Sequence, residues 1–200
     1  MRIVSERGER GVALLIVMMT ITLLTALGTA LVLATVTETA IAANYRDATA
    51  TFYAAEGAVE FAMQEIAAAP DWRDVIAASG RSSFVDGPAG GLRTVGAITL
   101  DLTHATGDVN INAAESQAWV LYAFGPFQDL VPSSAGRSGV YVAVWVADRS
   151  EEPGDQASAP EALSIVGQAY GARGSRRTVE AIVAKEGPST IRAVSWREWR

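Results

Sequence analysis

Gly11-Val12-Ala13-Leu14-Leu15-Ile16-Val17-Met18-Met19-Thr20-Ile21-Thr22-Leu23-Leu24-Thr25-Ala26-Leu27-Gly28-Thr29-Ala30-Leu31-Val32-Leu33-Ala34-Thr35-Val36-Thr37 contains no charged residue. From Val12 onward that is roughly 26 residues, long enough as a helix to cross a hydrocarbon core about 30 Å thick. Its valines, leucines and isoleucines together favour insertion by roughly 5 kcal/mol on a translocon scale. Arg2, Arg7 and Arg10 precede the run and Glu38 is the first charge after it, which predicts a cytoplasmic N-terminus with the remaining chain outside. A cleavable secretory signal ending at Ala40-Ile41-Ala42 fits less well. The apolar run is about twice the length of a signal's core, and Glu38 stands just ahead of the cut.

Outward from this run, the helical pattern continues. Ile41, Tyr45, Phe52, Val59, Met63 and Ile66 recur at helical spacing on an alanine-rich background, and Glu38, Arg46, Asp47, Glu56, Glu60 and Glu65 fill the rest of the circumference. Nothing breaks the pattern before Pro70, so residues 12–69 are expected to form one helix of roughly 85 Å. Gly28, among Thr20, Thr22, Thr25 and Thr29, is its expected weak point, because glycine costs about 1 kcal/mol against alanine and threonine hydroxyls bond back to the backbone. On the amphipathic half, Ala48, Ala55 and Ala62 permit close approach, and the stripe Tyr45, Phe52, Val59 and Ile66 faces either the protein's own sheet or a neighbouring helix.

Past Pro70 the pattern changes. Asp71 caps a short helix that Gly80 stops, and a Gly- and Ser-rich loop runs to about Gly91. Six runs of branched and aromatic residues follow between turn signals: Val95–Leu102, Ala118–Phe124, Val140–Ala147, Leu163–Tyr170, Thr178–Ala184 and Ile191–Trp196. They predict an antiparallel sheet, with a hairpin across Gly171–Ser175 and an acidic surface loop at Asp148–Pro160. The fold expected is α+β: a long N-terminal helix, half transmembrane and half amphipathic, with a small antiparallel β-sheet head.

Composition excludes several functions. A net charge of −6, from 22 acids against 16 bases, argues against a nucleic-acid partner. The chain has no cysteine and a single histidine, His104, so disulfides, thiolate zinc sites and multi-histidine metal sites are ruled out. His104 lies near an expected strand end, and no Gly-x-Ser-x-Gly nucleophile elbow occurs. Asp108-Val109-Asn110-Ile111-Asn112 begins like a calcium loop, but Ala113 stands where glycine is needed and Trp119 where glutamate is needed. Gly87-Pro88-Ala89-Gly90-Gly91 lacks a phosphate-binding lysine. No catalytic residue, cofactor or metal is expected.

The N-terminal stretch Ser5-Glu6-Arg7-Gly8-Glu9-Arg10-Gly11, followed by Val12-Ala13-Leu14-Leu15-Ile16-Val17, resembles the class III signal of type IV pilins and pseudopilins. Glu38, Asn44-Tyr45-Arg46 and Tyr53-Ala54-Ala55-Glu56-Gly57-Ala58-Val59-Glu60 resemble the N-terminal domain of PilX-type minor pilins, as, more weakly, do Asp71-Trp72 and Ser195-Trp196-Arg197-Glu198. The resemblance implies cleavage by a prepilin peptidase after Gly11 and N-methylation of Val12. A residue without a side chain permits close approach of an extended backbone at that point, and the competing cut after Gly8 would leave Glu9 at the head of the apolar segment. Most pilins carry a glutamate at mature position five; Ile16 stands there instead, which suits a first or tip position.

The organisation expected is a leader at residues 1–11, a transmembrane half at 12–37, an amphipathic half at 38–69 and a β-rich head at 70–200. Leu14, Leu15, Ile16, Glu38, Tyr45, Phe52, Glu56, Val59 and Ile66 are the expected assembly residues. The resemblance implies a non-enzymatic minor pilin that helps start or cap a type IV pilus. It would reside as a single-pass inner-membrane protein with a periplasmic head, then in the pilus or its base. Its implied partners are the prepilin peptidase, the lipid bilayer before assembly, other minor pilins, the major pilin and, for cell adhesion, a tip adhesin. A type II secretion tip pseudopilin and a membrane-anchored periplasmic enzyme or sensor are the alternatives; the first usually has a larger helical head, and the second requires an intact N-terminus. With no cysteine to clamp the C-terminal region, Trp196 and Trp199 are expected to hold it by packing.

Overall fold

The computed structural model describes residues 7–77, 82–111, 118–131, 139–149, 162–187 and 189–199, with side chains from Gly11 onward. Helix α1 runs from Arg7 to Ala68, unbroken at Gly28. The threonine hydroxyls around Gly28 do bond to carbonyls one turn back, but the helix continues through them. Pro70 ends the helix two residues beyond its last turn. The Ile66 carbonyl, left without a partner in the helical ladder, accepts the Ala69 amide at 3.2 Å and the Trp72 indole at 3.0 Å.

The chain divides into two compact units, residues 1–45 and 46–200. In the first unit the described residues form the N-terminal part of α1. The second holds the rest of α1 and all other elements: α2 (Trp72–Ile76), β1 (Leu92–Val95), β2 (Ile98–Asp101), α3 (Leu102–Ile111), β3 (Val120–Pro126), α4 (Phe127–Leu130), β4 (Val140–Asp148), β5 (Ala162–Gly171), β6 (Arg176–Gly187) and β7 (Thr190–Trp199).

Strands β3 to β7 form an antiparallel meander in chain order, and β1 and β2 form a separate hairpin. Strand β4, Val140-Tyr141-Val142-Ala143-Val144-Trp145-Val146-Ala147-Asp148, is apolar on both faces, the signature of a strand covered on both sides. Val140, Val142, Val144 and Val146 pack with Ala55, Val59, Ala62 and Ile66 of α1. Tyr141, Ala143, Trp145 and Ala147 pack on the opposite face with Leu102, Ala105 and Val109 of α3 and with Val95 and Leu100 of the small hairpin. A helix thus covers each face of one sheet.

Small residues set the closeness of α1 to the sheet. A Cβ added at Gly167 of β5 would lie 2.4 Å from Val59 Cγ2 and 3.1 Å from the Ala55 carbonyl oxygen, so the helix backbone rests directly on that glycine. Polar contacts fix the register at both ends of the interface. Thr51 Oγ1 lies 2.8 Å from Ser175 Oγ in the β5–β6 turn, and Arg173 in the same turn is 3.2 Å from Asp47. Farther along α1, Glu65 accepts hydrogen bonds from the Ser82 hydroxyl and from the Ser83 amide and hydroxyl, tying down the segment that follows α2.

Several expectations are corrected. The run Val95–Leu102 is not one strand: the chain turns at Gly96, whose φ of +60° favours glycine, so Val95 ends β1, Ile98 starts β2 and Leu102 starts α3. His104 therefore stands on a helix rather than near a strand end. Asp108 to Ile111 are helical too, and the continuation of that calcium-like sequence at 112–117 lies outside the described residues. The helix capped by Asp71 ends at Ile76, and Gly80 lies outside the described residues. Most of the acidic loop expected at Asp148–Pro160 is also outside them, while Asp148 itself belongs to β4. The long helix begins before Val12 and closes one residue before Ala69. Trp196 is 39% exposed on the edge strand, so packing alone does not hold β7; buried Glu180 accepts hydrogen bonds from the Arg197 guanidinium and, at 3.0 Å, from the Trp199 indole.

Candidate assembly helix

The described apolar side chains from Val12 to Ile41 are all exposed, from Val17 at 52% to Leu31 at 70%. They surround the helix on every side, which in water would be unfavourable by about 25 cal/mol for each Å² of apolar surface. The threonine hydroxyls of this segment are already satisfied internally. Thr20, Thr25, Thr29, Thr35, Thr37 and Thr39 each donate to the carbonyl four residues back at 2.8–3.0 Å, and Thr22 donates to Met18 and Met19 at 3.0 and 2.9 Å. A helix with its backbone paired, its hydroxyls turned inward and its surface apolar matches the solvent properties of lipid. Over Gly11–Ala68 α1 is long and apolar enough to cross a membrane.

The predicted assembly residues separate into two sets. Leu14, Leu15 and Ile16 lie on the exposed apolar part, as does the processing residue Val12, and a Cβ at Gly11 would meet open space. Glu38 and Tyr45 are also exposed. Phe52 is half-buried against the core and in edge-to-face contact with exposed Tyr53 at 5.6 Å, whereas Val59 and Ile66 are fully buried beneath the sheet. Glu56 is partly covered and Glu60 is exposed. The stripe from Tyr45 to Ile66 therefore starts in the open and ends in the head's own core, with Ala55 and Ala62 buried and Ala48 partly so.

Thr51 and Gly167, which fasten α1 to the sheet and its β5–β6 turn, and Glu65, which holds the segment after α2, were not among the assembly residues expected from sequence. An isolated glycine within an apolar strand is a signal for close backbone approach and marks Gly167. Thr51 and Glu65 carry no such local signal, since their partners lie 124 and 17–18 residues away.

Elsewhere the head shows polar pairs that stabilise its layers. Asn110 is bonded to both the amide and the carbonyl of Trp119, at 2.9 and 3.1 Å, and the Trp145 indole donates to Thr106 at 3.0 Å. Burial raises the pKa of three phenols: Tyr170 is pushed up to about 12, and Tyr122 and Tyr141 go higher still, with Glu65 and Asp86 respectively adding to the effect of burial. His104 lies 3.4 Å from Asp108 on an exposed helical face. Among the described residues, no group of three or more His, Asp or Glu side chains is arranged to hold a metal ion.

Residues 10–60 match the PilX N-terminal family. The matched region covers about a quarter of the chain, taking in the exposed apolar segment and the first part of the face that packs on the sheet. This PilX-like region supports a type IV pilus-related minor pilin in general. It points to a structural protein that interacts with other pilus components, and it agrees with a single-pass membrane anchor. No curated protein and no solved structure matches the chain.

Proposed function

We propose that this protein is a minor pilin that helps start or cap a type IV pilus, using α1 first as a membrane anchor and then as the packing element of assembly. The observation that carries this reading is the coincidence of the PilX-like match at residues 10–60 with an exposed apolar helical segment whose threonine hydroxyls are satisfied within the helix. Such a helix can exchange lipid for the helices of other subunits without exposing a polar group.

In this reading a prepilin peptidase cuts after Gly11 and methylates Val12, residues 12–37 span the inner membrane, and the head enters the periplasm. Leu14, Leu15 and Ile16 then contact neighbouring helices, with Glu38, Tyr45, Phe52 and Glu56 farther along. Val59 and Ile66 hold the head on its helix. Ile16 occupies the place where most pilins carry the glutamate that pairs with a neighbour's amino terminus, and this supports an end position in the filament. The head would contact other minor pilins, the major pilin or a tip adhesin.

The test is mass spectrometry of the full chain expressed with and without a prepilin peptidase. The expected result is a mature chain beginning at N-methylated Val12 only when the peptidase is present. A Met1 start in both samples overturns the pilin reading. If processing occurs, labelled micrographs then decide the position: signal at filament ends or bases supports initiation or capping, and signal along the shafts rejects it.

A further inference from the structure

The two edges of the main sheet are finished differently. Beside β3 runs the segment 82–86, whose Asp86 amide donates to the Phe124 carbonyl at 3.1 Å while the Phe124 amide donates to the Phe84 carbonyl at 3.0 Å; Val85 forms a parallel bridge to Phe124. That edge is covered. At the other edge β7 pairs with β6 on its inner side, and among the described residues nothing pairs with its outer side. A ten-residue edge strand leaves a row of backbone donors and acceptors that only another extended backbone can match.

We infer that the outer edge of β7 receives a short extended strand from the head of a neighbouring pilin subunit, uncharged and apolar where it faces Val194 and Trp196. This rests on the minor-pilin reading above and names the surface through which the head meets its neighbour. The strand is short because β7 is irregular opposite Ile182/Val183 and Lys185/Gly187, which leaves Ser195 to Trp199 in one-to-one register with β6, with Val194, the extra residue of the first irregularity, at the border of that run. Its chemistry follows from the charges. Arg192 is 2.8 Å from Glu186, Glu198 is 3.3 Å from Arg177, and Arg197 is bound to buried Glu180, so each charge on β7 already has an opposite charge within the sheet. An incoming charge would meet no complement. Val194, 53% exposed, and Trp196, 39% exposed, offer apolar contact instead. The side-chain bonds to Glu180 hold β7 on the sheet from within, which presents the outer edge in a fixed geometry.

The experiment uses the full chain, co-expressed with the other minor pilins of its host and extracted in detergent. Hydrogen exchange of the β7 peptide is compared with that of the chain alone. At least tenfold slower exchange of a subset of β7 amides in the complex is expected. Val194→Lys should restore fast exchange without shifting the melting temperature, while Thr94→Lys at an exposed position of β1 should change neither. Unchanged β7 exchange in a complex that does form, or no complex from a chain processed at Gly11, overturns the strand-docking inference. Slowing that appears in the chain alone as its concentration rises assigns the edge to a second copy and overturns the stated partner. A chain neither processed nor complexed overturns the minor-pilin reading itself.

Discussion

One helix carries two opposite solutions to the same physical problem. From Val12 to Thr37 α1 is apolar on every side and its side chains are exposed; beyond Arg46, alanine and β-branched residues fall on one face, and a sheet buries that face. Both parts are rich in alanine, threonine and aliphatic residues. What differs is whether polar residues leave an arc of surface for water. Where Glu56, Glu60 and Gln64 supply that arc, the helix belongs to a soluble core, and where they are missing it must take its cover from lipid or from other helices.

The largest effect expected from breaking this comparison comes from matched truncations. Ile66 is fully buried against the sheet, so Ile66→Ala should cost the head about 2–5 kcal/mol, read as a lower denaturation midpoint. Leu24 is 63% exposed, so Leu24→Ala should leave that midpoint unchanged and weaken membrane insertion by about half a kcal/mol. Equal losses of head stability from both substitutions would contradict the division at Tyr45.

A somewhat smaller effect tests the closeness of the helix to its sheet. Gly167→Ala places a methyl 2.4 Å from Val59 Cγ2, and β-branched Val59 has little freedom to turn away, so a loss of about 1–3 kcal/mol is expected. Val59→Ala removes the atom in the way. The double variant should therefore be more stable than the sum of the two single losses predicts, measured by a denaturation double-mutant cycle. Strict additivity would show that Gly167 does not set the helix–sheet distance.

Legibility in the sequence follows the range of the forces. The apolar run after Gly11, the helix that outlasts it, the β4, β5 and β6 strands and the Gly171–Ser175 turn are all written in local periodicity and composition, and the structure contains them. The helix at Leu102 was hidden because Val95-Gly96-Ala97-Ile98-Thr99-Leu100-Asp101-Leu102 reads as one β-rich run unless Gly96 is given its turn, and Asp101 its role as acceptor for the Thr103 and His104 amides. The division of the Tyr45–Ile66 stripe was not local information: it depends on where Gly167 and Ser175, more than a hundred residues away, reach the helix.

Alkaline pH should act on the head through its buried phenols. Tyr122, Tyr141 and Tyr170 hold their protons more tightly when folded than the ordinary value of about 10 for an exposed phenol, so the stability they contribute is fully present below pH ~10. Above that the unfolded state is favoured by ionisation, and stability falls as the pH rises through the folded value of about 12 for Tyr170. The melting temperature of the head should be level from pH 7 to 9 and decline beyond pH 10, with three phenols ionising together on unfolding in the ultraviolet difference spectrum. Insertion of the apolar half into vesicles has no such group within its span and should show no matching decline.

The smallest effect expected separates two threonines of similar local geometry. Thr25 donates to Ile21 at 2.8 Å and Thr51 donates to Asp47 at 2.6 Å, each to the carbonyl four residues back. Only Thr51 has a second partner among the bonds described, Ser175 Oγ at 2.8 Å, where the β5–β6 turn meets the helix. Replacing its hydroxyl with a methyl in Thr51→Val leaves a partly buried serine without that bond and should cost about 1 kcal/mol of head stability. Thr25→Val keeps the shape, removes a bond made only within its own turn, and should change insertion by less than about 0.5 kcal/mol with no effect on the head. If Thr25→Val leaves insertion intact but reduces the number of assembled pili, the hydroxyl serves contact between subunits. Lipid and helix neighbours would then be distinguishable at a single side chain, and the exposed half of α1 would carry a polar assembly determinant in addition to its apolar surface.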